Sequence, residues 1–282
     1  MNVSPPAPNP LNPMERELWH ELRERILQGI RAYSGNDDPD RISHITNNWF
    51  NDRDNYDGRW SVIRERLPGK ERILDIAAGC GTFLLHGLHL GRDVWGVEPE
   101  SWKQQYFAKK IAASGYPATY RSRLVPGWGE ALPFPDAHFG LVTTFQTLEH
   151  VRDVRQCLSE MLRVLKPGGV LYVRAPDYSG FFEPHYGILF WPKMNKNIAA
   201  LYLKFLGRPL TALHELNWIT ERQIISLVRE LPYATSISRT SATPEPTRHV
   251  FAACQSLRHW LARPGRFLQE EKQIDLWVTK IA

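Results

Sequence analysis

Cysteine is scarce in this chain. Only Cys80, Cys157 and Cys254 occur in 282 residues, and they lie far apart. They form no CxxC pair and no metal-ligand cluster, so neither a disulfide framework nor a metal site is expected. A reducing, cytoplasmic compartment is the matching expectation. No apolar run approaches the roughly 20 residues that span a bilayer, which predicts no transmembrane segment. Residues 1–13 are rich in Pro and Asn and lack the apolar stretch of a secretory signal, so a disordered tail is expected there. Internal repeats, a zinc finger, an RNA-binding aromatic signature and a basic tail are also missing. The net charge is +5, but acids stand among the bases, as in Arg23-Glu24-Arg25 and Arg64-Glu65-Arg66. That texture reads as solvated helix surface, and no nucleic-acid partner is expected.

What is present is an ordinary globular balance, 43% apolar and 23% charged, enough for a sizeable core. Met14, Leu18, Leu22, Ile26 and Ile30 recur every fourth position and predict an amphipathic helix over 14–33. With helical stretches in 41–66 it would form an N-terminal cap, residues 14–68. From Arg72 the texture changes to alternating strands and helices, with strands at 73–76, 93–97, 118–121, 139–145, 170–175, 234–240 and 274–281. The helices between them are predicted at 82–90, 101–113 (N-cap Ser101), 153–165, 220–231 and 248–262. Such alternation argues for an α/β domain over 69–282, with a parallel sheet covered on both faces. The pattern fails between 177 and 219, where aromatics crowd: Tyr178, Phe181, Phe182, Tyr186, Phe190, Trp191.

The chemistry starts at the first strand-to-helix turn, Asp75-Ile76-Ala77-Ala78-Gly79-Cys80-Gly81. Glycines there let backbone approach a ligand, and the helix start points N–H groups at it. Glu98 ends the second strand, 23 positions after Asp75, where a carboxylate takes both ribose hydroxyls of a nucleoside. A dinucleotide fold wants a small residue three after Gly81, and Leu84 stands there instead. Asp75 before the turn would repel a pyrophosphate but not a cationic sulfonium. Both points favour S-adenosylmethionine over NAD.

These residues resemble the first motif of class I S-adenosylmethionine-dependent methyltransferases of the UbiE/UbiG-like kind. Gly129-Glu130-Ala131-Leu132-Pro133-Phe134-Pro135-Asp136 resembles the third motif of that family. Leu148-Glu149-His150-Val151 and Arg163-Val164-Leu165-Lys166-Pro167-Gly168-Gly169 match further blocks in the same order. The resemblance implies a Rossmann-like sheet of seven strands with the last antiparallel, N-terminal helices and an aromatic-rich lid insert. It implies cofactor contacts from Asp75, Ala77, Gly79, Cys80, Gly81, Glu98 and Pro99, and from Gly129, Glu130, Ala131 and Leu132 around adenine. Phe145 and Gln146 would line the site below the methyl. Two positions depart from the family: Ala77 where glycine is usual, and Trp128 where many relatives carry an aspartate. Trp128 is open to three readings: stacking on adenine, walling it off, or filling core.

Methyl transfer leaves a neutral thioether, so alignment matters most, and a hydroxyl acceptor also profits from a base such as histidine. His150 follows the fourth strand. His185 lies in Glu183-Pro184-His185-Tyr186-Gly187, and His214 is beside Glu215. His185 and His150 are the candidate catalytic residues. His44, His86, His89 and His138 read as surface or helix-packing residues. Trp49, Tyr56, Trp60, Tyr186 and Trp191 are candidate acceptor walls. The insert also resembles those of bacterial methyltransferases linked to cell-surface glycan assembly, which implies a small-molecule or glycan acceptor. A quinone or other lipid-like acceptor, a non-catalytic cofactor-binding partner and an NAD-type oxidoreductase are the alternatives.

Overall fold

The computed structural model describes residues 11–53, 58–67, 69, 71–239 and 272–281. Short apolar strands build the centre: β1 (Ile73–Ile76), β2 (Val94–Glu98), β3 (Leu124–Pro126), β4 (Phe139–Phe145) and β5 (Leu165–Pro176). A hairpin, β6 (Phe182–Glu183) with β7 (Ile188–Leu189), stands apart, and β8 (Thr235–Arg239) and β9 (Gln273–Lys280) complete the set among the described residues. The main sheet has seven strands in the order β3-β2-β1-β4-β5-β9-β8. β1 runs parallel to both β2 and β4, and only β9 opposes its neighbours. This is the Rossmann-like order of class I methyltransferases. Strand order reverses between β1 and β4, so a crevice opens beyond their carboxyl ends.

Both faces of the sheet are buried, as continuous apolar strands require. On one face Leu74, Ile76, Val142 and Leu171 pack against α6 (Val154–Val164) and α9 (Glu221–Glu230). On the other, Ile73, Leu141 and Tyr172 meet α3 (Arg59–Arg66), α4 (Thr82–His89) and α5 (Ser101–Ala113). Trp60 of α3 stacks on Phe83 of α4 at 4.4 Å and donates Nε1–H to the Phe83 carbonyl at 3.2 Å. Trp60 is therefore core, not the acceptor wall expected of it.

The cap is α1 (Pro13–Tyr33) and α2 (Pro39–Phe50). Asn12 and Glu15 form a capping box that starts α1, so Leu11 to Pro13 of the expected tail are structured. Leu18, Leu22 and Ile26 of α1 join Ile42 and Phe50 of α2 over Cys80 and Tyr106. The amphipathic stripe read from the sequence thus seats the cap on the glycine turn and α5. The insert carries the β6–β7 hairpin, α7 (Lys196–Phe205) and α8 (Thr211–Glu215) around its own small core. Tyr186 is in that core, its hydroxyl bonded to the Pro209 carbonyl at 2.9 Å, so it too is no acceptor wall.

Three local expectations shift. Residues 118–123 form a 3-10 turn rather than a strand, because the apolar pair able to lie against β2 is Leu124–Val125. The N-cap of α5 is Glu100, with Ser101 the first helical residue. The helix expected at 248–262, with Cys254, and the side chain of Tyr56 lie outside the described residues.

Candidate active site

The turn after β1 is tight and partly strained. Gly79 and Gly81 have φ of 58° and 77°, and Ala77 shares that left-handed region at 55°. A side chain at such φ costs of the order of 1–2 kcal/mol. Gln146 at the end of β4 has φ 53°, so non-glycine strain flanks the switch point on both sides. A Cβ built on Gly79 meets nothing within 4 Å, which leaves its face open for a ligand to approach. At Gly81 a Cβ would stand 2.2 Å from Phe107 Cδ2. Gly81→Ala should therefore destabilise the protein by about 2–4 kcal/mol. A thermal melt unchanged from wild type would contradict the packing of α5 on this turn.

The Glu98 side chain is 1% exposed and aims at the turn: Gly79 N–H donates to Oε2 at 2.8 Å and Glu100 N–H to Oε1 at 2.9 Å. Burial pushes its carboxyl above the ordinary range, opposed by Lys103 at 3.8 Å and those N–H groups. Asp75 is buried too. Its Oδ1 accepts from Thr143 Oγ1 at 2.8 Å, and burial pushes it up to about 7 against the help of Thr143 and Arg59. Burial thus favours the neutral carboxyl of Asp75 and weakens the repulsion argument against a pyrophosphate. Arg59 of α3 lies over the Phe145 ring at 4.3 Å.

Around the expected adenine, Trp128 is 52% exposed, with Arg152 over its ring at 4.9 Å, so it does not fill core. Glu130 Oε1 accepts from the Arg152 N–H at 2.8 Å, tying its side chain to the start of α6 and leaving its backbone beside Ala131. Leu132 is buried, and Gly129 passes close to Cys157, where a Cβ would come within 2.6 Å of Sγ. Cys80 is buried under the cap, and burial pushes its thiol up to about 12. Pro99 follows Glu98 at the end of β2.

Beyond β4 the structure assembles a group that linear spacing hides. His185 sits at the tip of the β6–β7 hairpin and His150 just after β4, their rings edge to face at 5.0 Å. His185 Nδ1 is 2.8 Å from Glu183 Oε1, and the Tyr178 hydroxyl donates to the same oxygen at 3.2 Å. Burial alone would lower the His185 imidazole. Glu183 outweighs it and holds the ring above the usual histidine range. Glu183 in turn is held low by His185 and the Tyr186 N–H, against its burial. The His150 ring is pushed down by its crowding and by facing His185. Its Nδ1 lies 3.2 Å from the Tyr33 hydroxyl, and its Nε2 is 3.8 Å from Glu149 Oε1. Glu149 is fully buried. His214 is exposed on α8 and stands outside this group.

Sequence reading found the two histidines but missed Tyr33, Glu149, Tyr178 and Glu183 as their companions. The Glu-x-His spacing of 183 and 185 was a usable signal, whereas nothing local marks Tyr33.

Residues 74–173 match the family described as "Methyltransferase domain". An uncharacterized methyltransferase of Mycobacterium sp. (strain KMS) is 30% identical over 126 residues, 45% of this chain and 47% of the relative. A ubiquinone/menaquinone biosynthesis C-methyltransferase of Geobacter sulfurreducens is 38% identical over 122 residues, 40% of this chain and 46% of the relative. The chain spans about half the length of the curated relatives it matches. Among solved structures, an S-adenosylmethionine-dependent methyltransferase of Thermotoga maritima is 17% identical, with a TM-score of 0.46, over 95% of this chain and 98% of that one. Over residues 74–173 the family match, the strand order and the turn mark a domain of the class I methyltransferase type, whose cofactor is S-adenosylmethionine. The open face at Gly79 and the buried carboxylate of Glu98 fit that cofactor.

Proposed function

We propose that this chain is an S-adenosylmethionine-dependent methyltransferase that O-methylates a sugar hydroxyl on a small-molecule or glycan acceptor. The observation that carries the acceptor half is the Glu183–His185 pair facing His150 beyond β4. The cofactor supplies an electrophilic methyl on a sulfonium. Glu98 takes the ribose hydroxyls, the Ala77–Gly81 backbone lies along the methionine part, and Phe145 and Gln146 bound the space below the methyl. Trp128 and residues 129–132 flank adenine. With its Nδ1–H donated to Glu183, the His185 imidazole keeps Nε2 for the acceptor's proton, with His150 beside it. The cap meets the insert through Tyr33.

One observation favours a second reading, an acceptor with an apolar tail. Ile198, Leu201 and Phe205 of α7 and nearby Trp191 are each more than half exposed, with exposed Lys193, Lys196 and Lys204 among them. The name of the Geobacter sulfurreducens relative points to a quinone acceptor as well. Incubation with methyl-labelled cofactor and a panel of nucleotide sugars, glycans and short-chain quinones separates the two. Label in a sugar methyl ether supports the first reading, and label confined to quinone carbon overturns it.

A further inference from the structure

The group beyond β4 has more in it than a base requires. Glu149, His150 and His185 come from two separate segments, 35 positions apart between the histidines, and converge. One donor atom from each lies within 4.8 Å of the others. Donors on one side of an ion, with bonds of about 2.0–2.2 Å, stand about 3–3.8 Å apart, so closing the site takes a shift of about 1–2 Å at its widest pair.

Each histidine has its other nitrogen engaged. His185 Nδ1 is held by Glu183 Oε1 at 2.8 Å, and His150 Nδ1 meets the Tyr33 hydroxyl at 3.2 Å. Carboxylate–histidine pairing of this kind fixes the tautomer and leaves Nε2 as the ligand atom. Tyr178 in turn bonds Glu183, so the supporting shell is itself supported. The local field also suits a cation. Glu149 and Glu183 are both buried here, and Arg41, the cation felt by His185, is turned to the Asn36 and Pro184 carbonyls.

We propose that Glu149, His150 and His185 form a binding site for one divalent first-row transition ion, from the Mn²⁺-to-Zn²⁺ range, at which the acceptor hydroxyl is bound. Two imidazoles and a carboxylate on one side of an ion leave its other positions open for a substrate oxygen. This role for the ion rests on the methyltransferase reading and replaces direct proton removal by imidazole. The acceptor O–H gives its proton to water. The oxygen lone pair then forms the O–C bond as the S–C pair leaves with sulfur, and the products are a methyl ether and a neutral thioether.

The test uses untagged full-length protein, stripped with a chelator and titrated with Co²⁺ alone or Mn²⁺ alone. Binding is followed by calorimetry and by the visible absorption of Co²⁺. One ion per chain is expected. His185→Gln should lose more than about 100-fold in affinity, and Glu183→Gln, which touches only the supporting shell, about 10–100-fold. Thermal melts confirm that each variant is folded. S-adenosylmethionine is titrated into the same samples. If it binds normally while wild type takes no ion, or while His185→Gln takes one as tightly as wild type, the metal site is wrong and the methyltransferase reading stands. If S-adenosylmethionine fails to bind, the role given to the ion is overturned, whatever the ion count.

Discussion

His185→Ala is expected to lower methyl transfer to the true acceptor by about 10²–10⁴-fold, the usual effect of a positioned proton-handling group. Affinity for S-adenosylmethionine should stay within about two-fold, because an interaction confined to the reacting acceptor leaves cofactor binding alone. His185 is at the hairpin tip, 19% exposed, and oriented by Glu183 on one side while its ring meets His150 and Tyr33 on the other. Glu183, Tyr178, His150 and Tyr33, the hydrogen-bond and ring partners of its side chain, all lie outside the glycine turn. The same loss is expected whether the imidazole takes the proton itself or holds an ion that acidifies the hydroxyl. Alanine would leave the buried Glu183 carboxylate without its imidazole, so His185→Gln should accompany it. His214→Ala, on the exposed side of α8, should retain wild-type turnover. Wild-type turnover in His185→Ala would remove the insert from the chemistry.

Glu98→Ala should weaken S-adenosylmethionine binding by about 1–3 kcal/mol, the worth of a charge-assisted hydrogen-bonded pair. Oε1 and Oε2 are already fixed by the Glu100 and Gly79 N–H groups, so the carboxylate is held where the ribose would arrive. Alanine removes both the ribose partner and the brace on Gly79. Glu98→Gln keeps the shape and one oxygen acceptor, and should fall between alanine and wild type. Equal affinity in all three proteins would refute the ribose assignment.

The part of the site proposed to hold the cofactor is legible in the sequence because its parts are local. One strand, one glycine turn and one acid at the next strand end carry the signal, and the parallel pairing of β1 with β2 brings them together. The α/β class is legible for the same reason: apolar strands and capped helices alternate at short range. Burial is less legible. Trp60 and Tyr186 read as exposed aromatics of a lid and prove to be core, since side-chain count says nothing about which face a neighbour covers. The strand expected at 118–121 shows the same limit, because its place depends on what lies beside β2. The part proposed to hold the acceptor is the least legible. Tyr33, His150 and His185 meet only after the cap and insert close on the ends of the strands, and Glu149 looks like a motif residue until its partners arrive. Histidine count alone could not choose His185 over His214; the Glu183 hydrogen bond does.

The central claim is that the turn at Asp75–Gly81 with Glu98 holds S-adenosylmethionine. Calorimetric titration of wild type and Glu98→Ala with S-adenosylmethionine, and of wild type with NAD, tests it most directly. The account predicts one S-adenosylmethionine bound per wild-type chain, weaker binding in Glu98→Ala, and no binding of NAD. Saturable NAD binding, or S-adenosylmethionine binding indifferent to Glu98, would contradict it.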